Sequence, residues 1–299
     1  MKNTFDTPWK DIIQQHFEAF MIFFLPVAHE EIDWEKGFEF LDKEFSTISK
    51  QAKIGRRTLD KLVKVWHKAG EEMWLLLHIE IQAQPDTEFA ERMYVYNYRS
   101  YDLYQKPVRS LAVLIDKSKT WRPDRFEMKG WGTVLNFNFP VVKLQDYRHQ
   151  KVSLQATRNP FGLVVLAHLA ALETKRGSTD RLQVKTALTR QLLKANWDKN
   201  AIINLYRFID WILVLPHQHK LEYQSRVHAM KEEEKMQYIS SIERLERKAG
   251  RQEGRQEGRQ ETRQEVALAL LKEGITFELI ARTTKLSLSE IKRLKDEMH

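Results

Sequence analysis

Two carboxylates and an amide stand where a chain could hold a metal ion. Asp60 lies near the start of the run 59–66 (LDKLVKVW), and Glu80 and Gln82 lie near the end of the run 73–82 (MWLLLHIEIQ). Both runs are short and rich in β-branched, aromatic or other apolar residues, and the turn-like stretch Lys68-Ala69-Gly70-Glu71 parts them. They read as the two strands of a hairpin. Strand side chains alternate between faces, so Leu75, Leu77, Ile79 and Ile81 share one face while His78, Glu80, Gln82 and Gln84 share the other. An apolar face backed by polar positions points to a cleft, because a carboxylate withdrawn from water needs a partner or a metal. Pairing across the hairpin brings Asp60 towards Glu80, and Lys64 shares the face of Asp60. Two carboxylates on adjacent strands could hold one hard divalent cation. The same alternation also describes an antiparallel sheet with one solvated face, where an Asp and a Glu need no metal.

The elements that would carry these strands can be read on either side of them. Trp9, Ile12, Ile13, Phe17, Phe20 and Phe24 recur at helical spacing over 6–25, and Pro26 ends the run. A second short helix is expected from Asp33 to Phe45. Helical periodicity returns over 87–105, closed by Pro107. Strands follow at 108–115 (VRSLAVLI) and at 133–142 (TVLNFNFPVV), the latter at an edge because of Pro140. This order gives an α/β fold around a mixed sheet. From residue 160 to 247 the signals are helical only, as in Phe161–Glu173, Arg181–Ala195 and Lys199–Leu213.

On the helix 87–105, Arg92, Tyr96 and Arg99 fall at i, i+4 and i+7, one face with two guanidiniums around a ring. Such a face suits phosphate clamping; equally, it suits a helix packed on the sheet with its arginines reaching past the rim. Tyr94, Tyr98 and Tyr101 form a second, core-like stripe. His168, on an apolar helix, reads as a satisfied core histidine, and His217 and His219 as members of a solvated loop beside Pro216.

Residues 250–265 repeat as GRQE, GRQE, GRQE, TRQE. On a helix, Arg251, Arg255, Arg259 and Arg263 would form one stripe of like charges and Glu253, Glu257, Glu261 and Glu265 another. Neighbours at i+4 then repel, and each glycine costs about 1 kcal/mol relative to alanine. The repeat is therefore a solvated linker or a meeting of two chains. Beyond it, 266–299 resemble a helix-turn-helix module: Gly274 stops a helix, Ile275–Thr283 form a short one, and Ser287 with Glu290 makes a capping box. The last helix offers Lys292, Arg293 and Lys295 to phosphate. Lys285 holds the turn position usually given to glycine.

Composition bounds the function. The 299 residues are 42% hydrophobic with eight Trp and fifteen Phe, enough for a sizeable core. There is no cysteine, which excludes a disulfide framework, a zinc ribbon and a thiol nucleophile. A metal site would use oxygen ligands or histidine, and oxygen favours Mg²⁺, Mn²⁺ or Ca²⁺. The net charge of +8 permits attraction to phosphate backbones. Acidic residues at 6, 11 and 18 argue against a signal peptide, and the apolar stretch from Ala19 stops at Pro26, short of a membrane span. A cytoplasmic chain with no membrane partner is expected.

Asp60 followed by Glu80-Ile81-Gln82 resembles the D…(D/E)-x-(K/Q) signature of PD-(D/E)XK nucleases. Over roughly residues 6–245 the chain resembles the Rpn family, the recombination-promoting nucleases and (YhgA-like) transposases. The stretches that carry this are Asp6-Thr7-Pro8-Trp9-Lys10, Ile32-Asp33-Trp34, Phe40-Leu41-Asp42-Lys43-Glu44, Asp60-Lys61-Leu62-Val63-Lys64-Val65, His78-Ile79-Glu80-Ile81-Gln82 and Glu91-Arg92-Met93-Tyr94 onward to Arg99. Pro140-Val141-Val142-Lys143-Leu144, Asn159-Pro160-Phe161 and Phe208-Ile209-Asp210-Trp211 continue it. The resemblance implies a restriction-endonuclease-like core over 1–150, its mixed sheet flanked by helices. A helical subdomain at 151–248, a linker at 249–265 and a tail at 266–299 complete the expected organisation.

It further implies a Mg²⁺- or Mn²⁺-dependent endonuclease hydrolysing DNA phosphodiester bonds, with Asp60 and Glu80 as metal ligands and the Ile81 carbonyl as a third. Gln82 takes the position that many relatives give to lysine. It can orient the attacking water but cannot act as a general base. Lys64, Arg92 and Arg99 would meet the nucleic acid. The alternative is a non-catalytic DNA-binding or scaffold protein that keeps the fold. Beside DNA, the partner expected is a second copy, joined through the repeat or the tail.

Overall fold

The computed structural model describes residues 6–41, 59–70, 72–80, 86–195, 197–234, 262–264, 266–271, 273 and 275–296, with the backbone alone at 6–7, 59–60, 72–80, 231–234, 293 and 296. The chain divides into two compact units, Met1–Tyr238 and Ile239–His299. The α/β part and the helical part, read from sequence as segments 1–150 and 151–248, fall together in the first unit as far as residue 238.

The first unit opens with α1 (Asp6–Gln15), α2 (Phe17–Phe24) and α3 (Pro26–Glu31). The single helix expected over 6–25 is broken at His16, which leaves the helical region (φ −132°, ψ 42°). The break lets two aromatic faces serve two surfaces. Trp9 meets Phe208 and His168 edge-on at 5.7 and 5.8 Å, while Phe17 turns to Trp34, Phe38 and Phe40. The helix expected over 33–45 is instead, up to Leu41, a 3₁₀ turn at Trp34–Lys36 and a short strand β1 (Glu39–Phe40). Gly37 between them has φ +73°, a conformation that glycine alone adopts freely. Residues 42–45 lie outside the described residues.

The hairpin is found where the sequence places it. β2 (Leu59–Trp66) runs antiparallel to β3 (Glu72–Glu80), and α4 (Phe89–Tyr104) then crosses to β4 (Val108–Leu114), which lies parallel to β3. The run 133–142 is not one strand. β5 (Arg125–Gly130) and β6 (Thr133–Asn138) form a separate two-stranded ribbon, and β7 (Val141–Lys143) joins β4 in the main sheet. Pro140, which has no N–H to donate, marks the change of sheet, and its carbonyl accepts the Ala112 N–H at 3.0 Å. The five-stranded order is β1-β2-β3-β4-β7, with edge strands too short to template further pairing. Trp131 and Gly132, at φ +53° and +80°, join β5 to β6 in the two-residue geometry that matches strand twist.

Five helices follow: α5 (Lys151–Ala156), α6 (Pro160–Glu173), α7 (Thr179–Lys194), α8 (Lys199–Ile212) and α9 (His217–Glu234). Their starts obey capping chemistry. Asn159 accepts from the Phe161 N–H, Ser178 from Arg181 and Asp198 from Asn200 and Ala201, satisfying amide groups that a helix leaves orphaned. His217 and His219 open α9 and do not sit in a loop. The α6 helix is buried nearly all round, with α2, α5, α7 and α8 packed on it. Arg181 covers its C-terminal end, donating to the carbonyls of Ala171 and Thr174.

In the second unit, the helical stretch 266–271 packs with α10 (Phe277–Thr284) and α11 (Leu288–Asp296) around Ala267, Ile280, Leu286, Ile291 and Leu294. The capping box forms: Ser287 N–H donates to Glu290 at 2.8 Å and Glu290 N–H to the Ser287 hydroxyl at 3.3 Å. Lys285 adopts the left-handed conformation (φ +59°) that ends α10. Lys292 and Lys295 are exposed, and Lys295 lies 5.3 Å over the Phe277 ring. The repeats as far as residue 261 lie outside the described residues.

Two tests follow from this packing. A Cβ on Gly162 would come within 2.3 Å of a Thr157 methyl and 2.6 Å of the Leu154 carbonyl oxygen. Gly162→Ala therefore forces backbone apart at the α5–α6 contact and should cost about 1–3 kcal/mol in urea unfolding. His168, fully buried, accepts from the Trp9 indole at 3.4 Å and donates through Nε2 to the Ile115 carbonyl at 2.9 Å. Burial pushes its pKa down to about 4, against the raising effect of the Ile115 bond. The unfolded ring binds a proton near pH 6.5 and the folded ring does not, so stability is full above that pH and falls as pH drops towards 4. The loss amounts to about 3 kcal/mol. Urea titrations between pH 7 and 4 should show this slope, and His168→Phe should remove it.

Candidate active site

The register of the sheet decides which residues share a face. Asp60 pairs with His78, Leu62 with Leu76 and Lys64 with Trp74, while Glu80 pairs with Leu114 of β4 and Leu114 with Lys143 of β7. Directly paired residues lie on the same side and alternate along each strand. Asp60 and Glu80 thus belong to one face, diagonal to each other across two adjacent strands, at the end of the sheet where β3 finishes. Lys64 is on that face too but four residues along, roughly 13 Å from Asp60 at the rise of a strand.

Neither face is open to water along β2. On the side of Asp60, Leu62 is 0% exposed and packs with Leu41 and Tyr96 of α4. On the other side, Lys61, Val63 and Val65 are buried, and the Lys61 ammonium donates to Gln14 of α1 at 3.2 Å. The α4 helix covers the face of the two carboxylates, with Asn97 bonding Ser110 and the Val108 carbonyl, and Phe89 and Met93 of its first turns clustering with Ala112 and Leu114. A solvated sheet face, the other meaning of the alternation, is not what β2 presents.

Two of the three expected phosphate cations, Arg92 and Lys64, have protein partners. Arg92 is buried at the start of α4, ion-paired with Asp86, with its guanidinium 5.8 Å from the Phe89 ring centre. Lys64 meets Glu39 at 3.0 Å and lies over Trp66. Arg99 is half-buried on α4, and Tyr96, between the two arginines, is core. Of the acids on the first helices, Glu18 lies 3.5 Å from His29; α1 itself reaches β2 from the side opposite Asp60. Ile81 and Gln82 lie outside the described residues. Among the described residues, no cluster of three or more His, Asp or Glu gathers as a metal site.

One pair at the same end of the sheet has no counterpart in the sequence reading. Asp116, two residues past β4, and Lys143, the last residue of β7, bond at 2.5 Å with both side chains sealed from solvent. Lys143 also donates to the Trp121 carbonyl at 3.1 Å and lies 5.5 Å from the Trp121 ring, while Asp116 accepts the Ser118 N–H at 2.7 Å. Every polar atom here has a partner, as burial demands. The pair ties the ends of two parallel strands and the 116–124 loop into one block beside Glu80. Its members lie 27 residues apart, separated by the 116–124 loop and the β5–β6 ribbon, and no local pattern announces them. The remaining hint was a lysine at the end of an apolar run.

No family model, curated protein or solved structure matches the chain.

Removing one member of the sealed pair strands the other. Lys143→Met should destabilise the first unit by about 3–5 kcal/mol, and adding Asp116→Asn to it should recover part of the loss. Chemical denaturation of the two single variants and the double variant measures the coupling; purely additive losses would show that the pair stores no interaction energy.

Proposed function

We propose that this chain is a metal-dependent nuclease that hydrolyses DNA phosphodiester bonds, on a core of the PD-(D/E)XK kind resembling that of the Rpn family. The observation that carries the reading is the register that sets Asp60 and Glu80 diagonally on one covered face of the sheet. The order of helix, three antiparallel strands, crossing helix and parallel strand supports it. Two such carboxylates are hard oxygen donors on neighbouring strands, a donor set that fits Mg²⁺ or Mn²⁺. Asp60 and Glu80 would hold the ion, with the Ile81 carbonyl beside them. When bound, the ion supplies positive charge that acidifies water and offsets the charge developing on phosphate.

The protein's own part is positional. Asp60 and Glu80 fix where the phosphate must lie, and the Gln82 amide orients the attacking water without taking its proton. The covering α4 helix shields the site from bulk water, which strengthens every charge interaction within it. In this reading Arg92 serves through Asp86 as a brace for the start of α4, and the exposed lysines of α11 are the freer phosphate contacts. Cleavage of this kind would supply the nicks and breaks from which recombination starts, in the cytoplasm.

The engagement of Lys64 and Arg92 by Glu39 and Asp86 favours a second reading, a non-catalytic DNA-binding protein on the same fold. Supercoiled plasmid incubated with Mg²⁺ or with EDTA separates the two. Under the nuclease reading the native chain nicks only with Mg²⁺, and Asp60→Ala or Glu80→Ala abolishes nicking while DNA retention in a gel shift persists. Gln82→Ala should cost about 10- to 100-fold, the usual loss for a polar contact behind the metal ligands. Plasmid binding without any nicking by the native chain supports the second reading, and undiminished cutting by Asp60→Ala sinks this site.

A further inference from the structure

The ribbon of β5 and β6 carries a residue that its own fold does not use. Trp131 stands at the tip, fully exposed, at φ +53°. A two-residue turn of this kind is built without strain by Asn, Asp or Gly at its first central position, and a bulky side chain at positive φ is an outlier. The tip stands clear of the chain: a Cβ added at Gly130 or Gly132 would meet nothing within 4 Å. Met128 and Val134, beside the tip, are exposed as well. The root, by contrast, is fixed. Phe126 and Phe137 pair on one face of the ribbon and pack on Tyr94 of α4, with ring centres 5.2 and 5.8 Å away. Phe139 donates its N–H to the Asp124 carbonyl at 2.9 Å and clusters with Leu114, the strand partner of Glu80. The arm is therefore rooted beside the end of the sheet where Asp60 and Glu80 share a face.

The other face of the ribbon is polar and exposed. Arg125 pairs with Asn138 and Glu127 with Asn136, and Lys129 follows towards the tip. Glu127 lies 3.3 Å from both Arg125 and Lys129, one carboxylate between two cations. These features select the occupant. Two strands about 4.8 Å apart make a ribbon narrow enough for a groove of duplex DNA. Its amides and cations are groups that bond base edges and phosphate, and an apolar side chain carried into a groove can enter a base step and kink the duplex. A membrane surface would take Trp131 and Lys129 but offers no base edge to Asn136 and Asn138. We infer that the ribbon is an arm that grips duplex DNA, its polar face in a groove and Trp131 wedged between base pairs. The inference rests on the reading of DNA as substrate and adds how the duplex is held. A wedge there unstacks the duplex next to the carboxylates that would engage its phosphate.

The test uses the full chain in EDTA, so that DNA stays whole, and a duplex of about 20 base pairs, two helical turns, with a donor and an acceptor dye at its ends. Binding of the native chain should raise energy transfer between the dyes, because such wedges bend DNA by about 20–90°. Trp131→Asn gives the turn a residue it favours, so its thermal midpoint should equal or exceed the native one. Its affinity for the duplex should nevertheless fall about tenfold, the loss of one base–aromatic stack, and the bend should vanish. Trp131→Phe should recover most of both. Arg125→Gln combined with Lys129→Gln should lower the slope of log affinity against log salt by about 1–2. Stability and binding that move in opposite directions exclude a merely structural role for Trp131. A Trp131→Asn chain that binds and bends the duplex as the native does overturns the inference and leaves the nuclease reading standing. If that variant instead loses binding to vesicles of phosphatidylglycerol and phosphatidylcholine, or loses self-association, the ribbon serves a membrane or a second copy and the inference also falls. A native chain that binds no duplex removes it together with the reading of DNA as substrate.

Discussion

Coverage of both faces of β2 is the constraint on which the rest of the first unit depends. A sheet clad on one side only can leave polar residues in water at no cost. Here Leu62 is sealed on one side and Val63 and Val65 on the other, so anything polar that alternates with them must find a partner inside the protein. Lys61 does so through Gln14. The sealed Lys143 and Asp116 do so through each other. Covering the second face requires a connection that climbs over the sheet, and α4 is that connection; it also makes β4 parallel to β3. The same helix that closes the core thereby roofs the end of the sheet where Asp60 and Glu80 share a face.

The helical half has a complementary role. It supplies no strand, yet α6 is buried on nearly every side, and it fixes α1 through His168 and Trp9 and α2 through Phe20 and Phe161. The neutral state of His168 is a consequence of this enclosure. A ring donating to one partner and accepting from another inside an apolar core has no room for a second proton.

What could be read from sequence was what short-range periodicity encodes. The alternating run through Glu80 and the turn before it gave the hairpin, its pairing and the shared face of both carboxylates. The helix read over 87–105 packs on the sheet through Tyr96, but of the core-like stripe Tyr94, Tyr98 and Tyr101 the last two are exposed; Ser287 with Glu290 gave the cap of the last helix. What escaped depends on partners distant in the chain. Phe38, Leu41 and Phe45 recur at helical spacing, and it is Gly37 and the edge of β2 that draw Glu39–Phe40 into a strand instead. The run 133–142 reads as one strand because nothing local says that its first part pairs with 125–130 and its last with β4. Gln82 lies outside the described residues.

The bond between Trp9 and His168 joins residues 159 positions apart. On a ribosome adding about 5–20 residues per second, the partner of Trp9 is made roughly 8 to 32 seconds after Trp9 itself. Throughout that interval Trp9 and Phe20, both sealed in the finished protein, have no α6 or α8 to enclose them. An aromatic helix waiting this long for its pocket is a natural client for a chaperone that binds apolar segments. The order in which the chain is written therefore makes its first helices the last part of the core to be locked.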